Sequence, residues 1–359
     1  MMLRPCFAIS VSVACLFTAG SELAAQTLRV RLLDEQTGTA VKSAFVIVRD
    51  SAGRQVTSLL SDSAGRIQTL LPAGGTYSLR IERIGYRTFD VPAFVLQANT
   101  IVARDIAVPA AAIVLPSVDA TTARRCSGPR ELAAAAATIW EEARKALSVA
   151  AWTGRAGMIT YQVREIQRDL DPDLQRVRQD SRDIRLPASR TPYRSVPARE
   201  LAAEGYIRTQ DGDWLYYAPD ADVLLSDEFL DSHCFRAAVH APSRDLIGLE
   251  FEPLAQRRDF HDISGVLWLD RNTYELRYLD FRYATLPFTA AVPHAGGRVY
   301  FQRLPDSGWI VDEWWIRMPM VRARLGAADG GQFVIGYHQT VREVISASRQ
   351  GEPIPLRRR

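Results

Sequence analysis

Five histidines, His233, His240, His261, His294 and His338, are the side chains of this 359-residue sequence best suited to metal ligation or proton transfer. A zinc site of the metallopeptidase kind brings two ligands onto one helical face through His-Glu-x-x-His or His-x-x-Glu. None of the five begins either pattern. His233 and His240 would approach each other only on a helix, and no third ligand accompanies them. The run Asp169-Leu-Asp-Pro-Asp173 sets carboxylates at alternate positions, as a calcium loop does. Leu174 then stands where that loop needs glycine for its sharp turn, and Asp180 where it needs a bidentate glutamate, so the run reads as a solvated acidic turn. The sequence also lacks a Gly-x-Ser-x-Gly elbow, a phosphate-cradling Gly-x-x-x-x-Gly-Lys loop and a Gly-x-Gly-x-x-Gly fingerprint. Acidic pairs such as Asp312-Glu313 are too common on exposed strands to define a glycosidase. No catalytic residue, metal site or cofactor is nominated.

Aromatic residues offer recognition rather than reaction. Trp268, Tyr278, Phe281, Tyr283, Tyr300, Phe301, Trp309, Trp314, Trp315 and Tyr337 fall in the carboxyl-terminal strands. Half of them would share one face of a sheet, where they either fill a core or line an apolar pocket for an acyl chain or a sugar ring. Trp268, Trp309, Trp314, Trp315 and Tyr283 are the candidate ligand-facing residues. Successive side chains of a strand point to opposite faces, so Trp314 and Trp315 must diverge, leaving one of them exposed or in a cavity.

The elements that hold these residues begin after a secretory signal. Residues 1–25 combine an early arginine, an apolar run too short to span a membrane, and small residues before Gln26, which sets the expected cleavage after Ala25. No other stretch reaches spanning length, so the expected protein is exported, periplasmic or outer-membrane-associated, without a transmembrane segment once the signal is removed. Of four cysteines, Cys126 and Cys234 remain in the mature chain. In an oxidising compartment an isolated pair reads as a disulfide, with two separate buried thiols as the alternative. Forty-four basic against 41 acidic residues leave a formal charge of +3, which excludes the strong basic field of a nucleic-acid binder.

Residues 28–108 carry short strands punctuated by turns. Leu28-Arg-Val-Arg-Leu alternates apolar and polar, Ala44-Phe-Val-Ile-Val is a buried run, and Asp50-Ser-Ala-Gly53 and Asp62-Ser-Ala-Gly65 are turns of similar composition. Tyr77-Ser-Leu-Arg-Ile alternates again. Thr37-Gly38, Ala44, Asp62 and Gly65 after Ser61, Pro72 to Tyr77, and Gly85-Tyr86 together resemble the carboxypeptidase regulatory-like domain. That resemblance implies a seven-stranded transthyretin-like, Ig-like sandwich serving adhesion, carbohydrate or partner contact. It implies no catalysis.

After a boundary rich in Ala, Pro and Thr, Leu132, Ala136, Ile139, Ala143, Ala146, Leu147 and Ala150 recur at helical spacing, which predicts one amphipathic helix over residues 129–150. The remainder alternates in hairpins: 206–209 with 214–217 around Asp211-Gly212, 265–269 with 274–283, and 298–304 with 309–317, followed by a long strand over 332–345. The segment Gly265-Val-Leu-Trp-Leu-Asp-Arg-Asn-Thr-Tyr-Glu-Leu-Arg resembles a hairpin of periplasmic lipoprotein-carrier-like domains, which implies a half-barrel.

The expected fold is therefore mainly β, a sandwich followed by an α+β curved antiparallel sheet wrapped on one helix. Its divisions are 1–25 signal, 26–119 sandwich, 120–128 linker, 129–349 helix with sheet, and 350–359 basic tail. The expected role is non-catalytic, in binding or envelope assembly, with an envelope protein, a carbohydrate or a lipid as partner. A lipid or lipoprotein carrier with an apolar cavity in the carboxyl-terminal part is the first alternative, and a hydrolase with an unrecognised site the second.

Overall fold

The computed structural model describes residues 26–109, 130–210, 213–238, 240–257, 259–287, 292–305, 308–323 and 332–357; the expected signal, the expected linker and Cys126 lie outside them. The first seven strands are β1 Gln26–Asp34, β2 Phe45–Asp50, β3 Gln55–Leu60, β4 Arg66–Leu71, β5 Gly75–Glu82, β6 Phe89–Leu96 and β7 Ile101–Val108. They form two sheets, β4-β1-β7 and β3-β2-β5-β6. β1 runs antiparallel to β4 and parallel to β7. The alternation seen in the sequence puts Leu28, Val30 and Leu32 of β1 into one core with Val46, Val48, Leu79 and Ile81.

The turn motifs have visible causes. Ser61 Oγ donates to the Val41 carbonyl at 2.7 Å and accepts the Ala44 amide at 2.9 Å, tying the loop before β2 to the end of β3. Asp62 then accepts the amides of Ala64 and Arg66. Gly65 has φ +72°, and a Cβ there would lie 2.4 Å from the Leu32 carbonyl oxygen, so only glycine fits. The Tyr77 hydroxyl donates to the Ala73 carbonyl at 2.7 Å, closing the Pro72 to Tyr77 element.

Strand β2 is buried on both sides. Val46 and Val48 face the sandwich core, whereas Phe45 and Ile47 join a second core around helix α1, Arg130–Ala156. This helix runs six residues past the predicted end at 150, because Trp152 packs edge-on against Phe45 at 5.7 Å and Gly157, at φ +61°, supplies the stop.

The rest of the chain comprises β8 Ile159–Leu170, β9 Arg176–Leu186, α2 Ala198–Glu204, β10 Ile207–Gln210, β11 Asp213–Tyr216, α3 Ala221–Leu224, α4 Asp227–Ser232, β12 His233–Ala237, β13 Leu246–Pro253, β14 Ile263–Asp270, β15 Leu276–Tyr283, β16 Gly296–Arg303, β17 Trp309–Ala323, β18 Gln332–Arg349 and β19 Glu352–Ile354. Strands β12 to β18 follow each other in order, then β8 and β9, with β19 beside β18, in one antiparallel sheet; β10 and β11 pair separately. α1 packs on β12, β13, β14, β15 and β17, so the sheet wraps the helix as expected. Among the described residues three short α-helices join the single one predicted, and two are capped by side chains visible in the sequence: Asp220 accepts the Val223 amide and Ser226 the Phe229 amide. Pro319 sits inside β17 beyond Arg317, where pairing with β16 has ended, so its missing N–H breaks no ladder on that side.

A buried polar seam joins the sandwich to α1. Glu142 accepts the Gly85 amide at 2.6 Å and Lys145 Nζ at 2.5 Å, and Lys145 also donates to the Tyr86 carbonyl. Arg144 bridges Glu82 and Glu141, and Glu141 accepts the Thr88 hydroxyl at 2.6 Å. Burial pushes the Glu142 carboxyl up, against the opposing pull of Lys145. Glu141 is also raised by burial, but its hydrogen bonds from Arg144 and Thr88 win and hold it at about 2.

Candidate ligand-binding cleft

The two sides of the sheet treat the aromatic candidates differently. Trp309 and Tyr283 are 3% and 5% exposed and belong to the core around α1. Trp314 joins them, its ring tilted at 56° against Tyr193 at 5.0 Å and its indole N–H donating to the Pro192 carbonyl at 3.1 Å. Trp309 borders two cavities, one of about 50 Å³ between α1 and the segment 191–194 and one of about 210 Å³ at the seam with the sandwich, shared with Glu82, Lys145 and Thr273. The helix and these rings occupy the concave side, where Trp314 and Tyr283 pack in the core and Trp309 also borders the seam cavity.

Trp268 and Trp315 lie on the opposite face. Trp268 is buried there, against Tyr278 at 6.5 Å and over Gly248, where a Cβ would come within 2.6 Å of its ring. Trp315 is half-buried and lines an open depression with Arg298 and Arg317. The divergence of Trp314 and Trp315 follows from the strand period.

A larger space opens elsewhere. A cleft of about 1090 Å³ lies where the sandwich meets the curved sheet, lined on one side by Leu59 and Leu60 at the end of β3 and on the other by Trp152, Met158, Leu304 and Leu356. Lys42, Arg303, Arg349 and Arg357 stand around it, with Asp62 as the carboxylate. Asp62 is occupied by the turn amides of Ala64 and Arg66, and Arg303 by Glu275 at 3.1 Å. Gln302 also lines the cleft and is only 7% exposed, yet neither its amide oxygen nor its nitrogen has a hydrogen-bond partner among the described residues. Its cross-strand neighbour is the apolar Ile310. A buried amide without partners costs about 1–3 kcal/mol, a penalty that a ligand group or water can relieve.

The histidines are dispersed. His233 opens β12 rather than lying on a helix, so the approach to His240 does not form. It stacks on Phe229 at 4.1 Å and meets Asp262 at 3.3 Å, and Asp262 also binds Arg257 at 2.5 Å. Burial raises the Asp262 carboxyl, but the contacts with His233 and Arg257 bring it net below the usual range. The adjoining cavity measures about 10 Å³, which leaves no room for a substrate. His338 is held between Asp169 and Gln167 at 2.8 Å each. Asp171 accepts the amides of Asp173 and Gln175, the role of a turn residue. Among the described residues no group of three or more potential ligands could hold a metal ion. Cys234 is buried on β12, and its expected partner lies outside the described residues.

The cleft itself was not legible in the sequence, since its walls come from segments over two hundred residues apart whose residues are ordinary leucines and arginines. The charged face of Arg176 to Arg185 likewise concealed strand β9.

A sandwich docked on a helix-filled curved sheet, with a cleft between the two, is the class of architecture that these elements define. Its first part is a carboxypeptidase regulatory-like domain, whose family model matches residues 27–109. No curated protein matches the chain. Among solved structures, a pilus 2b backbone protein of group B streptococcus shares 15% identity over 23% of this chain and 40% of that chain, with a TM-score of 0.21. A protein of Bacteroides uniformis described as carbohydrate-binding shares 12% identity over 72% and 96%, at 0.22. A domain from Vibrio parahaemolyticus described as outer-membrane lipoprotein-sorting shares 12% identity over 58% and 94%, at 0.28. This chain thus spans less than half of the pilus protein, and at such scores none of the three defines a function here. Among the described residues no helix is long and apolar enough to cross a membrane.

Proposed function

We propose that the protein is a non-catalytic, exported cell-envelope protein that binds an amphiphile, an apolar chain ending in an anionic group, in the cleft between its sandwich and its curved sheet. The observation that carries this reading is the composition of that cleft: a volume of about 1090 Å³ walled by Leu59, Leu60, Trp152, Met158, Leu304 and Leu356, with four basic residues and the unpartnered Gln302. Apolar walls supply affinity in proportion to area, and a few polar groups set orientation. Lys42 and Arg357 would meet the anionic end.

The carrier reading is supported here rather than on the concave side, where α1 and the tryptophans occupy the space. A hydrolase finds less support, because the His233–Asp262 pair has no open cavity beside it.

Titration of a fluorescent fatty acid into the purified protein tests the proposal. Saturable binding that unlabelled laurate displaces, and that Leu60→Asp weakens by about tenfold or more, is expected. Binding that is absent, or that Leu60→Asp leaves unchanged while the variant keeps its melting temperature, would contradict it.

A further inference from the structure

The outward face of the curved sheet carries a second site. Register places three rows of side chains across it. Trp268, Tyr278 and Tyr300 are successive cross-strand partners in the first row, and Asp280, Arg298 and Trp315 in the second. The third contains Ser264, Arg282, Gly296, Arg317 and Gln339. Gly296 contributes no side chain, so a gap opens between Arg282 and Arg317. A Cβ at 296 would lie 2.3 Å from the Phe281 carbonyl oxygen, which excludes any other residue. The resulting depression holds about 360 Å³ and is bordered by Arg282, Arg298, Arg317, His294 and Trp315. That volume is at the small end of ligand pockets.

The three arginines are not equivalent. Arg298 is neutralised by Asp280 through two hydrogen bonds at 2.5 and 2.9 Å and rests 4.4 Å over Tyr278. Arg282 donates to Ser264 Oγ at 3.1 Å. Arg317 has no carboxylate partner among the described residues, and its Nε is buried without a hydrogen bond. Its guanidinium lies 4.9 Å over the Trp315 ring. Burial pushes its pKa down, the direction expected of a cation short of a counter-ion. A half-buried cation without a counter-ion carries part of its desolvation cost unrelieved, and planar guanidinium groups match carboxylate and phosphate oxygens in bidentate geometry.

We propose that this depression binds a single anionic sugar unit, its carboxylate or phosphate taken by Arg317 and Arg282 and its ring packed beside Trp315. Arg298, held by Asp280, shapes the wall and keeps the aromatic row in place. The site is independent of the cleft on the sandwich side, since the two share no lining residue.

Calorimetric titration of the full chain with glucuronate, glucose 6-phosphate, inorganic phosphate and glucose separates the contributions of charge and ring. Glucuronate or glucose 6-phosphate should bind, and whichever binds identifies the acid. Arg317→Met should weaken that binding by about tenfold or more. The same substitution should leave the ligand-free melting temperature equal or higher, because it removes an unpaired cation. Equal binding of glucose and its anionic forms, binding of inorganic phosphate as tight as that of the sugar phosphate, or no binding at all would overturn the proposal. A melting temperature that falls steeply in Arg317→Met would do so too, since Arg317 would then be a structural residue.

Discussion

The amide of Gly85 donates to Glu142 Oε2 at 2.6 Å across the seam between the sandwich and α1, and that one contact is backed by Lys145 on the other carboxylate oxygen. Glu142 and Lys145 are 0% and 2% exposed. The two halves of the molecule are thereby held by groups that cannot fall back on water. The cleft above depends on this docking, because its walls come from both halves.

Removing one partner of that pair should be far worse than removing both. Lys145→Met leaves a buried carboxylate and should cost about 3–5 kcal/mol, whereas Lys145→Met with Glu142→Leu should recover much of the loss. Urea unfolding of the wild type, Lys145→Met, Glu142→Leu and the double variant measures it. Additive losses would show that the pair is not coupled.

Acid should loosen the same seam. Glu141 titrates at about 2 in the folded chain against an ordinary 4.5, so its contribution is complete above 4.5 and is lost as pH falls through 2. Asp270, raised by burial but lowered further by Arg277 and two turn amides, also lies at about 2 and acts in the same window. Glu142, shifted upward, has the opposite sign: its contribution is complete below 4.5 and declines as pH rises. Thermal unfolding followed between pH 5 and pH 2 should show stability falling toward acid, with a shallower fall in Glu141→Gln. An unchanged slope in that variant would remove Glu141 from the account.

Gly65→Ala should destabilise the sandwich by about 2 kcal/mol or more, because the new Cβ meets the Leu32 carbonyl at 2.4 Å and the residue must hold φ +72°. Gly53, at φ +76° with nothing within 4 Å, should tolerate the same change at a smaller cost. Comparing the two by thermal melts separates backbone strain from close approach, and equal losses would refute the steric part.

Cys126 and Cys234 should be disulfide-bonded in the mature protein. A thiol count that rises by two on reduction, with a shift in mobility, is the expected result; two free thiols before reduction would dismiss it.

The fold was largely written in the period of the chain. Alternation in residues 28–32, 77–81 and 274–283 and the three-to-four spacing of α1 led directly to the sandwich, the sheet and the helix. β9 was missed because Arg176, Arg178, Asp180, Arg182 and Asp183 carry no apolar alternation; such charge is what keeps an outer strand from pairing further. The site was less legible. Aromatic abundance drew attention to the carboxyl-terminal strands, where Trp309, Trp314 and Tyr283 pack on α1 and Trp315 lines the open depression. Arg317 and Gln302 gave no sequence signal, since what distinguishes them is the partner each lacks in three dimensions.

Native mass spectrometry of the full-length protein, isolated from the envelope fraction without detergent, tests the central claim most directly. Binding in the cleft predicts a bound species carrying an acyl chain and an acidic group, lost in Leu60→Asp and retained in Arg317→Met. A ligand-free chain in the wild type, together with no uptake of added laurate, would contradict it.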